Sequence, residues 1–276
     1  AVEIRIELAI FFSDRTEISR GAVERRMEQG PPGAARYATC TRNTDFKDSM
    51  FPSDPEHVSV AEVTCPACGA PLTVEAVDVV LPESEELHEL FAGTLNRETC
   101  SECGAEFTMG TPVVFRDDSD RFLAYLMPLE DRSQWRKTEE QLEELADEVF
   151  AGLPSGSVPE CRLTFSRRDF LEKIALHLAH LNDRIVEYVK LQLYQRPDEP
   201  VDYVRYQMLY DFTRGEEDTL AFLLFDRETT EPYGAAHLPL DVYRELEEAY
   251  VCNPDFAEEL ERLFPGAYVN VERIFS

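Results

Sequence analysis

Two short segments of this 276-residue chain repeat one another: Cys65-Pro66-Ala67-Cys68-Gly69 and Cys100-Ser101-Glu102-Cys103-Gly104. Two residues between thiols let both sulfurs of a tight turn face one ion, and the glycine that follows lets the turn close with positive φ. Each turn precedes a new strand-like run, as the knuckles of facing hairpins do. Together they supply four thiolates at about 2.3 Å, the closed tetrahedral shell of a structural zinc site. The candidate ligands of one Zn²⁺ are therefore Cys65, Cys68, Cys100 and Cys103. A filled shell leaves no position for water, which argues against catalytic zinc. Two other uses of the same thiols stay open: iron–sulfur ligation, and a pair of disulfides or an unmetallated redox pair. Zinc is favoured, because an acidic chain without a secretory segment points to a reducing compartment.

The two pairs lie 31 residues apart, against roughly 15–20 in the usual ribbon spacing. The excess reads as a helix inserted between the hairpins. Pro82 and Glu83 open it, and Leu87, Leu90, Phe91 and Leu95 recur at helical spacing from Ser84 to about Leu95.

Charge excludes several functions. The chain carries 55 acidic and 27 basic residues, a formal net charge of −28. Such a field repels phosphate backbones and anionic lipid, so no nucleic-acid or membrane partner is expected. By segment the net charge is −2 over residues 1–58 (8 basic, 10 acidic), −11 over 59–130 (3 and 14) and −15 over 131–276 (16 and 31). A solvated acidic surface explains this more simply than a basic partner does, since net charge bears on solubility first. No apolar run approaches the roughly 20 residues of a membrane-spanning helix. The alternating opening residues Val2–Leu8 are no signal-peptide core, so a cytoplasmic location is expected.

Texture along the chain predicts an α+β protein with four parts. Residues 1–57 read as an arm or linker, with a strand over Val2–Ile10 followed by Gly30-Pro31-Pro32-Gly33 and polar sequence, disordered beyond that strand. Met27 and Met50 are alternative starts. Residues 58–130 form a zinc-ribbon-like β domain with the helical insertion, its strands at 58–64, 72–81, Glu106–Phe115 and Arg121–Met127. Residues 131–195 form a helical connector: one acidic helix over Glu139–Phe150, then a long helical pattern from Ser166, which Asn182-Asp183 is placed to split. Residues 196–276 form a mixed α/β C-terminal domain. Its strands are Tyr203–Phe212 and Thr219–Asp226, joined by a turn at 214–218. Helices Leu240–Val251 and Asp255–Phe264 follow, then a last strand at Ala267–Ile274.

The stretch Val63–Pro128 resembles the CpXC domain, a prokaryotic family named for its first cysteine motif. The likeness rests on Thr64–Gly69, the Glu85–Asn96 helix, Cys100–Gly104, Phe107, Pro112 and the Arg121–Pro128 strand. Phe170–Ile174 and Leu181–Arg184 resemble what often follows that domain. The resemblance implies a zinc-binding ribbon and no assigned activity. It leaves out residues 1–57 and weakens beyond about 195. Ser101 stands where many relatives have proline, which leaves the ligands untouched.

Other features weigh less. His177 and His180, three apart on the expected helix, lie near Lys173 and Arg184, which repel a cation, so they read as surface residues. His57, His88 and His237 default to surface or edge positions. Cys40, Cys161 and Cys252 lack partners in spacing, and a catalytic thiolate needs a basic setting that Pro159-Glu160 denies Cys161. Asp117-Asp118-Ser119-Asp120 and Glu216-Glu217-Asp218 lack the spacing of a calcium loop and read as turns. Tyr203, Tyr206, Tyr210 and Phe212 suit core and edge packing better than base stacking. No hydrolase elbow, metalloprotease, phosphate-loop or dinucleotide motif occurs, so no catalytic residue is assigned. The expected function is a non-enzymatic, zinc-stabilised module that interacts with another protein. The alternative is an enzyme of unassigned class, with structural zinc and a pocket between ribbon and C-terminal domain.

Overall fold

Alternating burial along Val58–Thr64 and Pro71–Val77 already says that these strands present one face to a core and the other to water. A computed structural model of the chain describes residues 2–5, 37–38, 58–129, 132–154, 156–196, 201–213 and 218–275. In chain order the elements are β1 (Val2–Arg5), β2 (Tyr37–Ala38), β3 (Val58–Thr64), β4 (Pro71–Val77), β5 (Val79–Val80), α1 (Glu85–Ala92), β6 (Arg97–Thr99), β7 (Glu106–Met109), β8 (Val113–Asp117) and β9 (Phe122–Leu126). A 3-10 turn (Arg132–Gln134) leads into α2 (Trp135–Val149), followed by β10 (Glu160–Thr164), α3 (Arg167–Leu178) and α4 (Asp183–Tyr194). Then come β11 (Tyr206–Tyr210), β12 (Thr219–Asp226), β13 (Pro232–Pro239), α5 (Leu240–Cys252), α6 (Pro254–Leu263) and α7 (Glu272–Phe275). The protein is thus α+β, as the sequence predicts. No helix among the described residues is long and apolar enough to cross a membrane.

The described residues fall into two compact units. The cysteine unit holds β2 and residues 58–174 and 266–268; the sheet unit holds β1 and residues 175–265 and 269–275.

In the cysteine unit, β3 pairs with β4 and β6 with β7 as antiparallel hairpins, and β2 adds to β7 in parallel. A third sheet runs in the order β10-β9-β8-β5. Its central strand β9 is buried throughout, and alternation sorts it into two layers. Phe122, Ala124 and Leu126 pack with Leu87 and Leu90 of α1 and with Phe170 and Ile174 of α3. Leu123 and Tyr125 pack on the opposite side with Trp135 and Leu142 of α2 and with Tyr268. Trp135 and Tyr268 sit with ring centroids 5.0 Å apart.

The sheet unit is ordered β1-β13-β12-β11, antiparallel except for β1 on β13. Leu220, Phe222 and Leu224 of β12 pack with Ile185, Val186 and Val189 of α4, with Tyr243 and Leu246 of α5 and with Leu260 of α6. A buried ion pair lies within this unit. Lys190 Nζ is 2.9 Å from Glu187 Oε1, and Glu187 Oε2 accepts the Val271 N–H at 2.9 Å.

Several elements differ from expectation for identifiable reasons. The strand expected over 72–81 is two strands, because β4 pairs with β3 while β5 pairs with β8. The run Glu106–Phe115 is likewise split, and Pro112, which has no N–H to give a ladder, stands in the break. Helix α2 starts at Trp135 rather than Glu139. The sequence pattern predicts none of the strands β2, β6, β10 and β13; β2 lies in the arm expected to be disordered, and β13 has proline at both ends and Gly-Ala-Ala within. The long helical run does split, with Asn182 as the cap of α4. The strand expected over Ala267–Ile274 does not form. The Tyr268 and Val271 N–H groups go instead to the carboxylates of Glu139 and Glu187, and Glu272–Phe275 turn into α7. The arm 1–57, apart from β1 and β2, and the turn residues 214–217 lie outside the described residues.

Candidate metal centre

Each cysteine turn caps one antiparallel hairpin. The ladder of β3 and β4 ends at Thr64 opposite Pro71, and that of β6 and β7 at Thr99 opposite Glu106. Inside each end the same turn closes. Cys65 N–H donates to Ala70 O at 2.8 Å and Gly69 N–H to Cys65 O at 2.9 Å. Cys100 N–H donates to Ala105 O at 2.9 Å and Gly104 N–H to Cys100 O at 2.8 Å. Gly69 and Gly104 take φ of +76° and +72°, a left-handed conformation that glycine enters without a Cβ clash.

The tips face one another. Cys65 Sγ lies 3.7 Å from Cys103 Sγ, and Cys68 Sγ lies 3.7 Å from Cys100 Sγ. All four sulfurs fall within 4.8 Å of one another, so the four residues singled out by spacing form one cluster, compatible with a metal site. The first cysteine of each turn is buried and the second exposed. Sulfurs at about 2.3 Å from a central ion occupy corners of a tetrahedron whose edge is about 3.8 Å. The observed 3.7 Å is close to that edge. A cluster of several irons set between the same thiolates would hold them farther apart.

Without a cation the thiols compete for charge. At Cys65 burial opposes ionisation, but the N–H groups of Ala67 and Cys68 and the thiols of Cys68 and Cys100 outweigh it, drawing the thiol down to about 6. At Cys68 the Ala70 N–H favours the thiolate, yet the sulfurs of Cys103 and Cys65, with burial, push it up to about 12. Cys103 is also raised, its Ala105 N–H being outweighed by burial and by Cys100 and Cys65. One thiolate forms readily and makes the next costly, the electrostatic signature of a donor set that suits a cation.

Sequence reasoning missed the residue that joins the two hairpins. Asn96, immediately before β6, accepts the Val77 N–H on Oδ1 at 2.8 Å and donates from Nδ2 to Val77 O at 2.9 Å. The same Nδ2 reaches Thr111 Oγ1 at 3.2 Å. Helix α1 enters between the hairpins with both ends capped. Ser84 Oγ accepts the Leu87 N–H, and Gly93 takes a left-handed φ of 78°.

Of the remaining candidates, His177 meets Asp117 and Asp120, with one ligand atom of each within 4.8 Å of the others, and the rest disperse. His177 lies in α3, but that helix ends at Leu178 and His180 takes φ of 54° beyond it, so the two do not share a helical face. His237, expected at a surface or edge, is buried in β13, while His88 is exposed on α1. Cys161 is half-buried in β10, and burial first, then Glu160, pushes its thiol up to about 11 against the pull of Arg162. Cys252 is exposed at the end of α5. Asp117 Oδ1 accepts the Ser119 and Asp120 N–H groups and the Ser119 hydroxyl, which makes that acidic run a turn. Tyr203 stacks on Phe275 at 4.1 Å and Tyr206 on Tyr233 at 4.3 Å, so these aromatics are partnered within the sheet unit. Cys40, His57, Glu216 and Glu217 lie outside the described residues.

Residues 63–190 match the family model described as CpXC protein. No curated protein matches the chain, and no solved structure does.

Proposed function

We propose that the chain, whose residues 63–190 match the CpXC family model and carry both cysteine turns, is a non-enzymatic interaction module whose ribbon is held closed by one structural zinc ion. The observation that carries this reading is the convergence of Cys65, Cys68, Cys100 and Cys103 from two hairpin tips, with cross-tip sulfurs at the edge length of a zinc–thiolate tetrahedron. The ion supplies a cross-link and no reactive water, since all four positions are filled by sulfur. The functional ribbon is residues 58–130, its partner is a protein, and its setting is the reducing cytoplasm, where thiolates stay available to metal. The acidic surface selects against nucleic acid and anionic membrane.

Elemental analysis and a thiol count on the purified chain test the metal. One zinc and four protected thiols per chain are expected; no metal would contradict the proposal. The interaction is tested with the zinc-loaded chain as bait. A protein partner released both by chelator and by high salt supports the module. Retention of DNA or RNA at physiological salt would overturn the charge argument.

A further inference from the structure

We infer that Asn96 is a positioning residue of the cysteine centre: its side chain locks the two hairpins at their base and so sets the spacing of the sulfurs at their tips. The inference rests on the metal-binding reading above.

Three structures converge on this one side chain. Val77 closes β4 and hence the first hairpin, and both of its backbone groups bond to the Asn96 amide. Asn96 itself opens the second hairpin, and its carbonyl accepts the Met109 N–H at 2.8 Å from the far strand. Thr111, on the segment leading out of that hairpin, is buried and meets the same amide. The amide therefore presents an acceptor to an N–H and a donor to a carbonyl of one residue, a two-point match that fixes angle as well as distance. The backbone of Asn96 is left-handed, with φ of 55°. Asparagine tolerates that region better than most residues with a side chain. Glycine matches the backbone and lacks the amide. Aspartate keeps one acceptor and sets negative charge against Val77 O.

Leverage makes the position matter. Cys100 is four residues from Asn96, about 13 Å along an extended chain at about 3.3 Å per residue. A swing of about 5° at the base then moves a sulfur by about 1 Å, against a tolerance in metal–ligand distance of about 0.2 Å. Loss of the amide is thus felt in the geometry of the bound ion and not only in stability.

Cobalt(II), whose visible bands report tetrahedral geometry, is the probe. The full-length chain, Asn96→Gly, Asn96→Asp and Thr111→Val are titrated with cobalt and then back-titrated with zinc. Asn182→Gly, which removes a helix cap in the sheet unit, serves as control. The expected result is one cobalt per chain throughout. Affinity falls roughly tenfold to hundredfold in both Asn96 variants, the scale for removing groups that orient metal ligands. The visible bands of the saturated Asn96 variants shift, Thr111→Val moves them the same way by less, and Asn182→Gly leaves them unchanged. Saturated bands identical to those of the unaltered chain, with only a lowered melting temperature, would reduce Asn96 to a stability role and overturn the inference alone. Absence of cobalt uptake by the unaltered chain would overturn the metal reading together with it.

Discussion

The two hairpins and the sheet unit differ in how much apolar core each can call on. The core beneath the hairpins comprises Ala61, Val63, Cys65, Ala76, Cys100, Phe107 and Met109, seven buried residues of which two are cysteines of the cluster. The sheet unit gathers three times as many, 21, from α3 to α6, β11 to β13 and the C-terminal segment. Apolar burial at about 25 cal/mol per Å² can fix a sheet against three helices; it falls short for two short hairpins, one faced by alanine and valine and the other by Phe107 and Met109 alone beside its cysteine. Small folds of that kind are usually completed by a cross-link. On the zinc reading proposed above, a thin core that offers its own sulfurs as donors makes folding and metal binding one event in this region, whereas the sheet unit rests on packing and on its buried Glu187–Lys190 pair.

The sharpest way to break this comparison is to remove one sulfur. Cys100→Ser should abolish stoichiometric zinc and unfold the hairpins, a loss on the order of 10 kcal/mol of binding free energy. Hydrogen exchange then becomes fast for β3, β4, β6 and β7 while β12 and β13 keep their protection. Retained zinc with unchanged melting would end the distinction. The reciprocal change lies in the sheet unit. Glu187→Gln removes the carboxylate charge paired with buried Lys190 and weakens the acceptor for Val271. It should destabilise that unit by about 3–5 kcal/mol in urea titration without altering zinc content.

Smaller effects sharpen the boundary. Ser84→Ala and Asn182→Ala remove one helix cap from each unit. Each should cost about 1 kcal/mol, read as a shift in the melting of its own unit only. A pH dependence sharpens the boundary in another way. The Cys161 thiol is raised from 9.0 to about 11, chiefly by burial, so its neutral form favours the folded state. That contribution is complete below about pH 9 and is lost as pH rises toward 11. Urea titrations at pH 8 and pH 11 should therefore differ less in Cys161→Ala than in the unaltered chain.

The sequence carried the four clustered cysteines openly, because a turn that needs two thiols and a glycine has few other spellings. The helix between the pairs was equally legible from Pro82-Glu83 and the leucine spacing, although it stops at Ala92, where left-handed Gly93 caps it, and not at about Leu95. What escaped was set by contacts distant in sequence. Asn96 reads as an ordinary polar residue after a helix until Val77, 19 positions earlier, is placed beside it. The Ala267–Ile274 segment has strand-like alternation, yet Glu139 and Glu187, 129 and 84 positions away, take the N–H groups a ladder would use. Strand β13 was hidden by its prolines and its Gly-Ala-Ala interior, residues of low strand preference that β12 and β1 nonetheless recruit by pairing on both edges. His237 is buried by that same pairing, which no local pattern announces.

X-ray absorption at the metal edge of the purified chain tests the central claim most directly. The account predicts zinc as the metal, one atom per chain, with a first shell of four sulfurs near 2.3 Å. Oxygen or nitrogen in that shell, iron with metal–metal scattering, or a metal-free protein with its four sulfurs oxidised to disulfides would contradict it.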